Sequence, residues 1–172
     1  MKKQIIKVVL LIFLGLLGFV GYKVITKINH KKQVAEHIKT IPDFSYQTLD
    51  GNAFTHKNLK PNTPVLFVYF NSECDFCQHE AQMIQENIKK LQAVQIIFIS
   101  FEPQDNIVKF ATKYKLTTYD NVTFLVDRKA TFATTFDVNS LPCLVLYNAQ
   151  HQLIEKIKGQ VKIEKILALS KQ

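Results

Sequence analysis

The hydrophobic positions of this chain change their spacing from one segment to the next. From Val8 to Tyr22 the run VVLLIFLGLLGFVGY carries no charge, and Ile5, Ile6, Val24 and Ile25 continue it past Lys7 and Lys23. Residues 5–25 as a helix extend roughly 31 Å at about 1.5 Å per residue, which matches a hydrocarbon core of about 30 Å, with Lys7 and Lys23 able to snorkel to the two interfaces. Residues 26–40 (TKINHKKQVAEHIKT) are polar, without glycine or proline, and predict a helical or solvated stalk closed by Pro42.

Beyond the stalk, periods of two, of three to four, and unbroken apolar runs alternate. Phe44 to Thr55 predicts two short strands around Leu49-Asp50-Gly51-Asn52, a hairpin signal. Pro64 to Phe70 (PVLFVYF) and Ala93 to Phe101 (AVQIIFISF) have the β-branched and aromatic content of strands buried on both faces. Between them Ala81, Ile84, Ile88 and Leu91 form a helical stripe over Cys77 to Leu91. A second stripe, Ile107, Phe110, Ala111 and Tyr114, predicts a helix over Pro103 to Lys115. Strands are expected at Asn121 to Val126, Cys143 to Tyr147 and Leu153 to Ile157, with a short helix around Ala130 to Phe136 and a closing helix over Val161 to Leu169. Strands alternating with helices predict an α/β domain with a central mixed sheet, helices on both faces and antiparallel pairing late in the chain. The expected organisation is an N-terminal membrane anchor over residues 1–25, a stalk over 26–40 and one folded domain over 41–172.

Composition narrows the class. A chain of 172 residues holds one ordinary core, and 47% hydrophobic with 21% charged residues excludes a disordered tail or a collagen-like repeat. The formal charge of +8 suggests a nucleic-acid binder until it is divided along the chain. Residues 1–40 hold eight lysines against Glu36, so the domain is left with a net +1 and a single arginine, Arg128. That lacks the electrostatic footprint of phosphate binding, and no nucleic-acid partner is expected.

For the apolar N-terminal run, a retained anchor is favoured over a cleaved signal peptide, because no small-x-small cleavage pattern follows it. Counted by flank, Lys23, Lys27, Lys31, Lys32 and Lys39 favour a cytoplasmic domain over Lys2, Lys3 and Lys7. Large domains are translocated largely regardless of such charge. The folded domain behind this signal-like N-terminus is expected on the extracytoplasmic, periplasmic side.

A redox expectation comes from Cys74-Asp75-Phe76-Cys77, placed where a buried strand gives way to a helix. Unpaired N–H groups and the dipole at a helix N-terminus favour a thiolate on Cys74, and Cys77, one turn in, can attack a mixed disulfide. Cys74 is then the nucleophile and Cys77 the resolving thiol. Zinc binding is the first alternative, but a structural site needs four ligands, and only Cys143 and His79 are obvious additions. Inert structural cysteines are the second. His30, His37, His56 and His151 are scattered and form no metal constellation, and no metal or cofactor is expected beyond a redox-active Cys74–Cys77 disulfide.

From about Ile41 onward the chain resembles the thioredoxin-like proteins, and within them the membrane-anchored TlpA/ResA type of thiol-disulfide oxidoreductase. The matching residues are Val65-Leu-Phe-Val-Tyr-Phe-Asn-Ser-Glu-Cys-Asp-Phe-Cys-Gln-His-Glu80, then Ser140-Leu-Pro-Cys-Leu-Val-Leu-Tyr147, and Gly159 before the last helix. The resemblance implies a thioredoxin-like fold, a cis peptide at Leu141-Pro142 beside the cysteines, and an extended substrate pairing with the backbone there. Leu141, Pro142, Asp75 and Phe76 are the implied substrate contacts. Glu80 matches the acidic residue relatives hold near the cysteine pair, where a raised pKa would let it exchange a proton with Cys77. An ordinary first-turn acid complementing the helix dipole is the competing reading.

Three positions depart from the family pattern. Val68 stands where thioredoxins keep a buried Asp, Glu73 where many relatives have Trp, and Leu141 where relatives often carry Thr, Ser or Val. Glu73 and Asp75 oppose a Cys74 thiolate, which predicts a low reduction potential and a reducing or isomerising role. Cys143 is expected in a buried strand and His79 on the surface. The leading expectation is a membrane-tethered enzyme that reduces or exchanges disulfides in protein substrates and is recharged by an electron-donating thiol partner. A peroxiredoxin-like peroxide reductase and a non-catalytic metal- or partner-binding module are the alternatives. Asn71, Ser72 and the isolated Arg128 supply peroxide chemistry poorly.

Overall fold

The computed structural model describes the backbone of residues 2–171 and the side chains of residues 15–171. The chain divides into two units, Met1–His37 and Ile38–Gln172. The first is a helix, α1 (Lys2–His37), whose backbone is continuous through Gly15, Gly18 and Gly21. Among the described residues no helix is long and apolar enough to cross a membrane. Of the expected span of residues 5–25, residues 5–14 lie outside the described side chains.

The second unit is a seven-stranded mixed sheet. Its elements in chain order are β1 (Ser45–Thr48), β2 (Ala53–Thr55), β3 (Val65–Tyr69), α2 (Asp75–Glu86), β4 (Gln95–Ser100), α3 (Gln104–Lys113), β5 (Val122–Val126), α4 (Thr131–Thr135), β6 (Cys143–Tyr147), β7 (Leu153–Lys158) and α5 (Ile163–Leu169). The strand order is β2-β1-β5-β4-β3-β6-β7. β3, β4 and β5 run parallel, joined by α2 and α3, while β1, β6 and β7 are antiparallel to their neighbours. Every residue of β3, β4 and β6 is buried, which is why these strands read as unbroken apolar runs rather than alternations.

Alternate residues of β3 serve opposite faces. Leu66, Val68 and Phe70 pack with Ala81 and Ile84 of α2, Ile107 and Phe110 of α3, and Ile163 and Ile166 of α5. Phe67 and Tyr69 meet the other layer, where Phe67 lies 5.9 Å from Phe132 of α4 and 6.0 Å from Tyr147 of β6, ring centre to ring centre. A helix as short as α4 needs outside help to start, and the buried Asp127 carboxylate supplies it by accepting N–H groups from Thr131 at 3.0 Å and Phe132 at 2.7 Å.

The predicted helical stripe from Cys77 to Leu91 is two pieces. α2 stops at Glu86, Asn87 turns the backbone to φ −112°, and a separate 3₁₀ turn at Ile88–Leu91 buries the last two apolar positions. Sidedness therefore persists through a break in the hydrogen-bond ladder, because burial and not helicity sets the apolar spacing.

Candidate active site

β3 ends at Tyr69, and the chain crosses four residues to Cys74, the N-cap residue of α2, which begins at Asp75. The Cys74 side chain makes no capping bond at the helix N-terminus, and its Sγ donates instead to the carbonyl oxygen of Leu141 at 4.0 Å. The Leu141–Pro142 peptide is cis. Residues 67 positions apart thus face each other, brought together because β6 pairs antiparallel with β3 and starts at Cys143, opposite Tyr69. Asp75 and Phe76 lie exposed beside them, and Leu141 is half-buried.

Cys77 stands in a different environment one turn into α2. It is 1% exposed, and burial drives its thiol well above the usual range, with the Cys74 sulfur and the Glu80 charge adding to the effect against a backbone hydrogen bond at Asn71. Glu80 is fully buried in the second turn of the same helix, so it is not an ordinary first-turn acid complementing the dipole. The main-chain N–H of Val161 donates to Glu80 Oε2 at 3.0 Å, while Oε1 has no partner among the described residues. Desolvation pushes the carboxyl up to about 7, with the Val161 N–H pulling the other way. The turn that presents Val161 uses Gly159 at φ 79°, a conformation side chains rarely adopt, and its N–H donates to Pro142 O at 2.8 Å.

Glu102 is a further buried carboxylate at the site, one that no sequence pattern singled out. Ser72 donates to it twice, from its N–H at 2.6 Å and its hydroxyl at 2.7 Å, and the Ser100 hydroxyl donates at 3.1 Å. The loop that carries Cys74 is thereby tied to the end of β4. Gln78 secures the same loop from the helix side, donating to Ser72 O at 2.9 Å and accepting from Lys113 Nζ at 3.1 Å. The available signal was Ser100-Phe101-Glu102 at the carboxyl end of a buried parallel strand, where open α/β sheets place their sites.

Cys143 is buried in β6, and burial raises its thiol to about 11, which keeps it protonated and unreactive at neutral pH. His79 is exposed. Among the described residues, no three His, Cys, Asp or Glu side chains stand together in a way that could hold a metal ion. Arg128 lies exposed at the end of β5.

Comparison with known proteins agrees with this geometry. A thiol-disulfide oxidoreductase ResA of Bacillus cereus is 26% identical over 162 residues, covering 92% of this chain and 89% of that protein. Among solved structures, MTB DsbF in mixed oxidized and reduced forms superposes with a TM-score of 0.65 at 20% identity, over 74% of this chain and 92% of its own. The peroxidoxin BcpB of Mycobacterium tuberculosis does so equally, with a TM-score of 0.65 at 20% identity over 77% of this chain and 94% of its own. These likenesses establish the thioredoxin-like fold. The model of the AhpC/TSA family matches residues 38–156, from the first residue of the folded unit into β7, and the chain therefore belongs to the AhpC/TSA family.

Proposed function

We propose that this thioredoxin-like oxidoreductase is tethered to a membrane by its N-terminal helix and reduces or exchanges disulfides in extracytoplasmic protein substrates through the Cys74–Cys77 dithiol. One observation carries the reading: a half-buried thiol at the start of α2, donating to Leu141 O at 4.0 Å, has a buried thiol one turn behind it and a buried carboxyl beyond. Cys74 as thiolate attacks one sulfur of the substrate disulfide. That S–S bond breaks, and the departing sulfur leaves with the bonding pair and takes a proton. Cys77 then yields its proton to the Glu80 carboxylate and attacks Cys74, releasing the second substrate thiol and leaving a Cys74–Cys77 disulfide. Two electrons pass to the substrate, and an electron-donating thiol partner must return them.

The Cys77 position explains why proton transfer needs a partner. Burial holds its thiol high, so few molecules are ionised at neutral pH, whereas a carboxyl that titrates at about 7 is ready as a base in about half. Glu73 and Asp75 beside Cys74 support a reducing rather than oxidising direction. The test is capture: with Cys77→Ser, a mixed disulfide with substrate proteins accumulates, and with Cys74→Ser none forms. Equal trapping by both variants sinks the assignment.

Peroxide reduction is the second reading, favoured by the fold shared with the peroxidoxin BcpB. Asn71 and Ser72 are committed to the loop, Asn71 Oδ1 accepting the Glu73 N–H at 2.9 Å and Ser72 donating to Glu102. Hydrogen peroxide consumption that outpaces insulin reduction would favour it over dithiol exchange.

A further inference from the structure

The cis Leu141–Pro142 peptide ends a loop that leaves α4 at Phe136 and enters β6 at Cys143. The loop turns at Asp137, whose φ of 46° lies in the left-handed region, and the Val138 N–H donates back to Ala133 O at 2.8 Å. Among the described residues, no main-chain hydrogen bond joins Asn139, Ser140 or Leu141 to a neighbouring segment. Their placement therefore depends on what holds the two ends of the loop. Downstream, the Gly159 N–H fixes Pro142 O. Upstream, the tie is a side chain of β7: Lys156 Nζ donates to Phe136 O and, at 3.0 Å, to Asp137 O. Lys158 Nζ adds a bond to Asn139 Oδ1 at 2.8 Å. Lys156 lies opposite Val145 in the β6–β7 ladder, on the face that also carries Cys143. It is half-buried, and burial pulls its ammonium below the usual range, with Cys143 and Asp137 acting the other way. A cation kept where its charge is disfavoured points to the bonds it makes there rather than to solubility.

Resting on the proposed disulfide exchange, we infer that Lys156 is a positioning residue. By tying the start of this loop to β7, it holds the Leu141 carbonyl where a substrate backbone N–H can donate to it while Cys74 attacks the substrate disulfide. Leu141 O accepts from Cys74 Sγ in the free protein, and a carbonyl oxygen has two lone pairs, so it can take a substrate N–H as well. An amide hydrogen bond weakens steeply away from about 2.9 Å and a straight approach, which makes this contact sensitive to drift of the loop. The ammonium acts through carbonyls earlier in the loop and never touches substrate. Lys158 supports the same loop from its solvent side. Capping of the short α4 helix, whose C-cap residue is Phe136, is the competing role, and it predicts no effect on substrate pairing.

The experiment uses the full chain, reduced, and a peptide whose single cysteine is held as a mixed disulfide with 2-mercaptoethanol. In a matched series, each backbone amide near that cysteine is replaced in turn by an ester, which lacks the N–H. Exchange rates are compared as amide-to-ester ratios within each protein, so differences in active fraction cancel. In wild type one replacement is expected to slow exchange about fivefold, the effect of one net hydrogen bond. Lys156→Met keeps an unbranched stem but donates no hydrogen bond, and its ratio at that amide falls to about one. Lys156→Arg can donate to the same carbonyls and keeps the ratio. Lys158→Met folds in any case at its exposed position, and it lowers the ratio by about half. A full ratio in whichever methionine variants fold, its loss in Lys156→Arg as well, or a wild type indifferent to every ester overturns the positioning role while leaving disulfide exchange standing. Failure of wild type to exchange with any peptide overturns both.

Discussion

Burial lifts the Glu80 carboxyl from the ordinary value of 4.5 to about 7, which makes the stability of the fold depend on pH near neutrality. A raised acid holds its proton more tightly in the folded state, so its contribution to stability is complete below about 4.5 and is lost as pH rises through 7. Glu80→Gln keeps an oxygen to accept the Val161 N–H and cannot ionise. Wild type and variant should therefore match in urea unfolding near pH 4, and the variant should be the more stable at pH 8, by on the order of 3 kcal/mol. A gap that stays constant across this range would show that the carboxyl does not titrate where its burial puts it. Release of a trapped mixed disulfide should accelerate through pH 7 in wild type and lose that limb in Glu80→Gln. The nearness of Glu80 to Cys77 was legible in the sequence, since residues i and i+3 share a helix face. Its complete burial was not, because desolvation depends on what packs over it, and Val161 lies 81 residues away.

The Asn71–Cys74 loop is an element without internal regularity, held by groups outside it. Glu102 accepts two hydrogen bonds from Ser72, and replacing it with Gln removes the charge from both and turns one acceptor oxygen into a donor that the Ser72 hydroxyl must rotate to accept. Glu102→Gln should cost about 1–3 kcal/mol in chemical denaturation. Ser72→Ala removes only the hydroxyl bond and should cost about 1 kcal/mol. Because both changes break the same clamp, the double variant should lose less than the two losses combined. Strict additivity would mean that Glu102 does not act through Ser72. Alkylation of Cys74 should also speed up in Glu102→Gln as the loop loosens. The strands and α-helices could be read from their own spacing, apart from the break at Asn87, whereas this clamp could not, since Ser72 and Glu102 meet only because β3 and β4 lie side by side.

At the scale of the whole molecule, the apolar run of residues 5–25 predicts that the full chain stays with membranes through a high-salt wash and that removal of residues 1–25 frees it. With the domain outside the cytoplasm, a membrane-impermeant maleimide should label Cys74 in intact cells. Recovery of the wild-type chain in the soluble fraction, or labelling only after lysis, would contradict the tether or the placement. The sequence by itself determined the order and kind of the elements, the strand-to-helix junction that bears the cysteines, and the near-neutral charge of the domain, because sidedness and charge are local properties written in the spacing of residue types. Tertiary structure alone decided what surrounds each reactive group: Leu141 against Cys74 across 67 residues, Val161 on Glu80, and Ser72 on Glu102. These depend on strand order and on burial, and both arise only when segments far apart in the chain exclude water together.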